Sequence, residues 1–171
     1  PDFDAMPIPH RRIDPEILRS IVAAIRNKRA VEIRYQSMNP NRPAPEWRWI
    51  TPHAFGNDGL RWHVRAFCHI LGARNEDIAG AEPEIDRYWL EKFDVTLMPN
   101  PVLGEAQRRI IAQDYEMKNG QISFPVRKAL LYYFQKRLRL DVSHELDRPH
   151  ETPVIVSNRA AFDAALAEAM S

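Results

Sequence analysis

A short segment between residues 60 and 68 carries the side chains best suited to binding a ligand. Arg61, His63 and Arg65 alternate there with apolar residues. Since neighbouring side chains of a β-strand point to opposite faces, the three should share one surface within about 14 Å. Guanidinium groups bind phosphate and carboxylate oxygens through two parallel hydrogen bonds. The pattern therefore predicts a site for an anionic ligand.

The opposite face of the same segment is apolar. Trp62, Val64 and Ala66 alternate with the cations, and this alternation predicts that they fill the core beneath the sheet. Arginine stems also cover apolar surface in ordinary proteins, so a purely structural role for the cationic face stays open.

Motifs for enzymatic chemistry are absent from the sequence. It contains no phosphate-binding glycine loop, Gly-x-Ser-x-Gly elbow, paired-His zinc helix or calcium loop. Cys68 is the single cysteine, and strand geometry places it on the face opposite His63, so a site built from His63, Cys68 and His69 is disfavoured. We predict that the protein is not an enzyme and that it has no catalytic residue, metal or cofactor. A nucleotide-processing enzyme remains a rival that turnover of a nucleotide panel would reveal.

Composition and charge narrow the class of protein further. With 171 residues, 44% hydrophobic and 27% charged, the chain is long enough for one medium or two small globular domains. It has no long apolar run and no signal-like start, which predicts a soluble cytoplasmic protein without a membrane partner. Residues 1–74 hold 12 Lys and Arg against 7 Asp and Glu, and residues 75–171 hold 12 against 16. The basic half favours an anionic partner, although a solvated face would explain it equally well.

The elements that position the cations can be predicted from periodicity. Asp14-Pro15-Glu16 is a helix start, and an apolar stripe continues to about Asn27. Alternation then predicts strands at 30–35, 46–52 and 60–68, with the last two joined by the turn Asn57-Asp58-Gly59.

The second half of the chain predicts another small α+β unit. Alternation over 87–98 predicts a strand, and the proline-bearing segment 98–101 suggests a domain boundary. We therefore predict domains at 11–98 and 99–171. The further expected elements are helices at 105–117 and 126–140, strands at 121–125 and 151–156, and a final helix capped by Ser157 or Asn158 that ends at Met170.

Several short segments together resemble a known family, the WYL-domain transcriptional regulators, and within it the defence-island branch typified by CapW and BrxR. The likeness covers about residues 11–141. It rests on Tyr35-Gln36-Ser37, Thr51-Pro52-His53, Arg61-Trp62-His63-Val64-Arg65-Ala66-Phe67-Cys68, Met98-Pro99-Asn100-Pro101 and Val126-Arg127-Lys128-Ala129-Leu130-Leu131.

The resemblance implies an architecture and a set of site residues. The family architecture begins with an N-terminal winged helix-turn-helix, for which the ten residues before Arg11 leave no room. We then expect a helix with a small SH3- or Sm-like β-barrel, followed by a smaller α+β dimerisation domain. The family's Arg-x-Phe-x-Leu-x-Arg segment is matched only at its end, by Arg74. The implied ligand-binding residues are Tyr35, Ser37, His53, Arg61, His63, Arg65 and Arg74.

The function implied is that of a ligand sensor in a homodimeric regulator. The barrel would bind a nucleotide or nucleic-acid-like effector, which would change the affinity of the winged helix-turn-helix for operator DNA. The alternative is a direct Sm-like module that binds single-stranded nucleic acid without a switching role. Steep salt dependence without an effect on an operator would favour that alternative.

Overall fold

The computed structural model describes residues 2–9, 11–69, 86–141 and 147–170. The chain divides into two compact units, Pro1–Ile85 and Asp86–Ser171. Each unit combines helices with an antiparallel sheet, which confirms the predicted α+β class.

The first unit begins with helix α1 (Pro15–Arg26), as predicted. The Asp14 carboxylate accepts hydrogen bonds from the backbone N–H groups of Glu16 at 2.8 Å and Ile17 at 3.4 Å. These bonds satisfy N–H groups that a helix start otherwise leaves without partners. Ile21 and Ala24 are buried, so the apolar stripe packs inward at this point.

Three antiparallel strands follow in the order β1 (Val31–Tyr35), β2 (Glu46–Asn57) and β3 (Trp62–Cys68). Strand β2 extends five residues beyond the predicted end at Pro52. The pairing of β2 with β3 shifts register between Pro52 and Ala54, and such a bulge accommodates a proline that cannot donate to the ladder. Within the described residues the three strands form an open sheet, so the closed barrel stays a prediction.

The second unit contains four helices and three strands in its described part. The sheet has the order β5-β4-β6 and is antiparallel. The elements are α2 (Arg87–Leu90), β4 (Lys92–Pro99), α3 (Glu105–Asp114), β5 (Ile122–Arg127), α4 (Leu131–Arg137), β6 (Val154–Val156) and α5 (Arg159–Met170).

The proline-bearing segment 98–101, which suggested a domain boundary, lies inside the second unit. Strand β4 pairs with both β5 and β6, and the chain divides into units ahead of it, between residues 85 and 86. Asn100 is fully buried; its amide donates to the Thr152 carbonyl at 3.0 Å, and its side-chain oxygen accepts from the Val102 N–H at 3.0 Å. A buried, hydrogen-bonded residue of this kind anchors its loop. The domain bounds 11–98 and 99–171 stay a prediction.

One predicted helix is shorter than expected. The segment 126–140 was predicted as a single helix, but β5 continues to Arg127 and a 3-10 turn precedes α4. Val126 pairs with Phe93 across the sheet, and this pairing overrides the helical spacing of the apolar residues. The core that results is one cluster made of Val95, Leu97, Leu131, Leu140, Val154, Val156, Phe162 and Ala165.

None of the helices in the described ranges is long and apolar enough to cross a membrane.

Candidate functional site

The most concentrated group of charged side chains on the first sheet lies at the β2–β3 turn. Asp58 stands in the turn, and Arg61 and His63 follow it. The Arg61 Nε lies 2.9 Å and the His63 Nε2 lies 3.0 Å from the same carboxylate oxygen, Oδ2 of Asp58. An ionised carboxylate only accepts hydrogen bonds, so both nitrogens donate to it.

The other carboxylate oxygen of Asp58 holds the turn itself. Oδ1 accepts from the backbone N–H groups of Leu60 and Arg61, each at 2.9 Å. Burial alone would raise the pKa of Asp58, but the hydrogen bonds from His63, from the two backbone N–H groups and from the Arg61 guanidinium hold that pKa well below its ordinary value. Asp58 is therefore a permanent negative charge within the cluster.

Arg65 continues the same face of β3, two residues beyond His63. Across the sheet, His63 stands opposite Gly56 and Arg65 opposite Ala54. Small residues on the neighbouring strand leave space for the long cationic side chains, and both His63 and Arg65 are half-buried. The structure thus places His63 and Arg65 on one face of β3, as alternation requires, and Arg61, just before the strand, shares the Asp58 carboxylate with His63.

The expectation that Trp62 and Val64 fill a core is wrong. Their exposed fractions are 56% and 40%, whereas the cation-bearing face of β3 is the half-buried one. Trp62 packs edge-on against Phe55, with the two ring centroids 6.3 Å apart. Alternation separates the two faces of a strand, but it does not determine which face is covered.

His53 lies within β2, not at its end as predicted. It occupies the bulge of β2, and its ring centroid is 5.9 Å from that of Phe67, which shares the face of His63 and Arg65.

Tyr35 and Ser37 lie at the other end of the sheet. Tyr35 pairs with Glu46, ten residues along β2 from the partner of His63, which corresponds to about 30 Å of strand. The Arg48 guanidinium lies over the Tyr35 ring, 5.0 Å from its centroid. Ser37 accepts a hydrogen bond from the Asn39 N–H at 3.1 Å, a local turn contact. The structure does not bring these two residues to the cations, and Arg74 lies outside the described residues.

No three His, Cys, Asp or Glu side chains of the described residues lie close enough together to hold a metal ion. His69 instead forms a 2.7 Å hydrogen bond with the Thr51 hydroxyl. Cys68 is exposed and pairs with Ile50, on the strand face opposite His69.

Sequence reasoning missed Asp58 as a member of the site. The segment Asn57-Asp58-Gly59 was interpreted only as residues that tolerate positive φ, and Gly59 does adopt φ +89°. The available signal was the spacing: a carboxylate in a tight turn, three residues before an arginine and five before a histidine on the returning strand, can reach both.

Comparison with known proteins matches both units. Residues 16–74 match the WYL domain, and residues 92–162 match the C-terminal dimerization domain of the BrxR transcriptional regulator. The chain is 35% identical, over 88% of its length, to a DNA-binding transcriptional repressor CapW of Stenotrophomonas maltophilia, covering 54% of that protein. It is 33% identical to repressors of the same name from Escherichia coli strain KTE188 (95% of this chain, 58% of the relative) and Pseudomonas aeruginosa (91% and 55%). The chain therefore spans a little over half the length of these relatives.

Proposed function

Because this chain belongs to the WYL-domain transcriptional regulators of the CapW and BrxR type, we propose that its first unit senses an anionic effector and its second unit joins two copies. The effector would be a nucleotide or a nucleic-acid fragment. Its binding would change the affinity of the assembled regulator for operator DNA, bound through the winged helix-turn-helix that the resemblance implies. The matched relatives are DNA-binding transcriptional repressors.

One observation supports the sensing part most strongly: the basic side chains of Arg61, His63 and Arg65 are all half-buried within the segment matched by the WYL domain. Partial burial strengthens a charge-assisted hydrogen bond relative to one in open water. Phosphate groups are the natural complement of such a face. An effector can shift operator affinity only by binding two conformations of the regulator unequally.

The test uses the full-length regulator and an operator selected from a random DNA library. Fluorescence anisotropy would measure operator Kd with and without nucleotides or short oligonucleotides, and a change of about 5- to 150-fold is expected for ordinary allosteric coupling. Arg65→Ala should weaken effector binding by about 1.5 to 3 kcal/mol, the range for a hydrogen bond to a charged group. Arg34→Ala is the matched control, because Arg34 is an exposed arginine of the same sheet, opposite Trp47.

Two results would contradict the sensing proposal. One is an Arg65→Ala protein that binds every tested nucleotide and oligonucleotide as tightly as the parent. The other is effector binding that leaves operator Kd unchanged.

Direct binding of single-stranded nucleic acid is a second candidate, favoured by the exposed aromatic rings of the first sheet. Trp47 is 66% exposed and Trp62 is 56% exposed, and bases stack on such rings without sequence preference. This candidate predicts that oligonucleotide affinity falls steeply with salt, that Trp47→Ala weakens it, and that operator binding is unaffected.

The dimerising role of the second unit is supported by its match and by its exposed apolar side chains, among them Ile110 and Val102, which are 58% and 52% exposed. Light scattering at tens of micromolar should give the mass of two chains. A chain cut after residue 85, ahead of β4, should give a monomer, because a cut at 98 would remove the partners of β4. A monomeric parent chain, well folded by circular dichroism, would contradict this role.

A further inference from the structure

The Asp58 carboxylate occupies the position that a ligand anion would take between Arg61 and His63. Its Oδ2 receives a hydrogen bond from each of these side chains, at 2.9 and 3.0 Å. A phosphate oxygen would need the same donors and the same approach. The chain therefore supplies its own anion to both of these side chains.

The environment of Asp58 makes this occupancy strong. Its side chain is 11% exposed and that of His63 is 20% exposed, so the contact is largely sheltered from water. A second anion arriving at the cluster would stand beside an ionised carboxylate, and like charges at short range repel more strongly where water is scarce. An anion cannot bind here at full strength while Asp58 keeps its place.

We propose that Asp58 is a built-in competitor of the effector: a phosphate-bearing ligand binds Arg61 and His63 by displacing the Asp58 carboxylate. This inference rests on the proposed function in one respect, the assignment of the cationic face as an anion site. It adds the residue that sets the threshold for binding and the conformational event that accompanies it.

Displacement has a structural consequence because the two oxygens of Asp58 belong to one rigid group. When Oδ2 leaves the cations, Oδ1 loses its hydrogen bonds from the N–H groups of Leu60 and Arg61. The β2–β3 turn then has two N–H groups that must find other partners. Ligand binding is thereby converted into a rearrangement of the turn, which is the two-state element that sensing requires.

The first experiment compares Asp58→Asn with the parent chain. Asparagine keeps the Oδ1 acceptor and favours the same turn, but it replaces the second oxygen with an NH2 donor that cannot accept a hydrogen bond from Arg61 or His63. Calorimetric titration with inorganic pyrophosphate should show binding about tenfold tighter for Asp58→Asn than for the parent, equivalent to about one hydrogen bond to a charged group.

Asp94→Asn is the control variant. Asp94 is an exposed residue of β4, so the change alters net charge equally and keeps the Asp58 carboxylate in place. Its pyrophosphate affinity should equal that of the parent. A gain common to both variants would reflect net charge alone and would overturn the proposal, as would equal or weaker binding by a folded Asp58→Asn protein or no binding to either.

The second experiment follows the turn directly by amide hydrogen exchange. Pyrophosphate added to the parent chain should accelerate exchange at Leu60 and Arg61 and leave the amides of α1 unchanged. Unaltered protection at saturating pyrophosphate would mean that the anion joins the cluster without displacing Asp58, and the proposal would fail. A gain in pyrophosphate affinity with no effect on operator binding would contradict the sensing function while supporting the competitor role.

Discussion

The two units solve the problem of covering a three-stranded sheet in different ways. In the second unit, α4 and α5 contribute to one continuous core around Val95 and Leu97, which are 0% and 1% exposed. In the first unit, the described residues place only α1 against the sheet, and the buried apolar residues are few: Ile21, Ala24, Ala30, Ile50 and Pro52. Aromatic side chains of the first sheet therefore remain exposed, Trp47 and Trp62 among them.

This difference separates stability from recognition. A sheet with one fully buried face uses the side chains of that face for core packing. A sheet that is less buried keeps polar and aromatic side chains accessible to a ligand. The second unit is accordingly the one whose core substitutions should cost most. The first unit is the one whose substitutions should change binding more than folding.

The largest effect is expected for Phe162→Ala. Phe162 of α5 is fully buried, and deleting a large core aromatic costs about 3 to 5 kcal/mol of unfolding free energy. Urea denaturation followed by far-UV circular dichroism would measure it. Met170→Ala, at a 63% exposed position of the same helix, should stay within about 0.5 kcal/mol. Equal costs for the two variants would remove the contrast between covered and exposed positions.

Asn100→Ala tests whether the loop after β4 belongs to the second core. The variant leaves the Thr152 carbonyl and the Val102 N–H without this partner, and losing the buried bond to Thr152 should cost about 1 to 3 kcal/mol. The same denaturation experiment applies. Val102→Ala in the same loop, where Val102 is 52% exposed, is the control and should be nearly silent. An Asn100→Ala variant with unchanged unfolding free energy would mean that these hydrogen bonds do not hold the loop to the second core.

Acid should weaken the first unit through Asp58. The folded-state pKa of Asp58 lies below its unfolded value, so its contribution is complete above about pH 4 and is lost as pH falls further towards the folded pKa. At neutral pH, Asp58→Asn should cost about 1.5 to 3 kcal/mol. Urea titrations followed by tryptophan fluorescence at several pH values should show this difference shrinking below pH 4. A difference independent of pH would mean that the charge of Asp58 is unimportant.

The smallest effect is expected for Trp62→Ala, although a fully buried tryptophan would cost about 3 to 5 kcal/mol. Because Trp62 is 56% exposed and contacts Phe55 edge-on, the loss should be about 0.5 to 1.5 kcal/mol, the value of one aromatic pair. Hydrogen exchange of the β3 amides would measure it. A loss as large as that of Phe162→Ala would show that the Trp62 face is covered after all.

Local signals predicted most of the fold. The Asp14 cap, the alternation over 31–35 and the final helix gave elements that the structure confirms, because capping and periodicity act within a few residues. Long-range pairing was not predictable in this way. Asn158, one of the two residues expected to cap the final helix, does accept a backbone hydrogen bond from the Phe162 N–H at 3.0 Å. Its side chain binds β4, however: it accepts from the Thr96 N–H at 3.1 Å and donates to the Asp94 carbonyl at 2.8 Å.

The candidate site was predictable in its residue types but not in its electrostatics. Alternation alone places Arg61, His63 and Arg65 on one face. It carries no information about a neighbour outside the strand, so the neutralising role of Asp58 became visible only from the geometry of the turn. The spacing between sites was also inaccessible, because the distance from Tyr35 to the cations depends on the length of β2 beyond its proline.

The single exposed cysteine has a practical consequence. Cys68 ends β3, the strand that carries the cations, and it is the sole thiol in the sequence. A spin label attached there marks every copy at one position without any substitution. In a symmetric pair of copies the two labels define a single distance, and pulsed electron resonance can follow that distance as pyrophosphate is added. Cys68 thus allows the distance between two copies to be measured without any substitution.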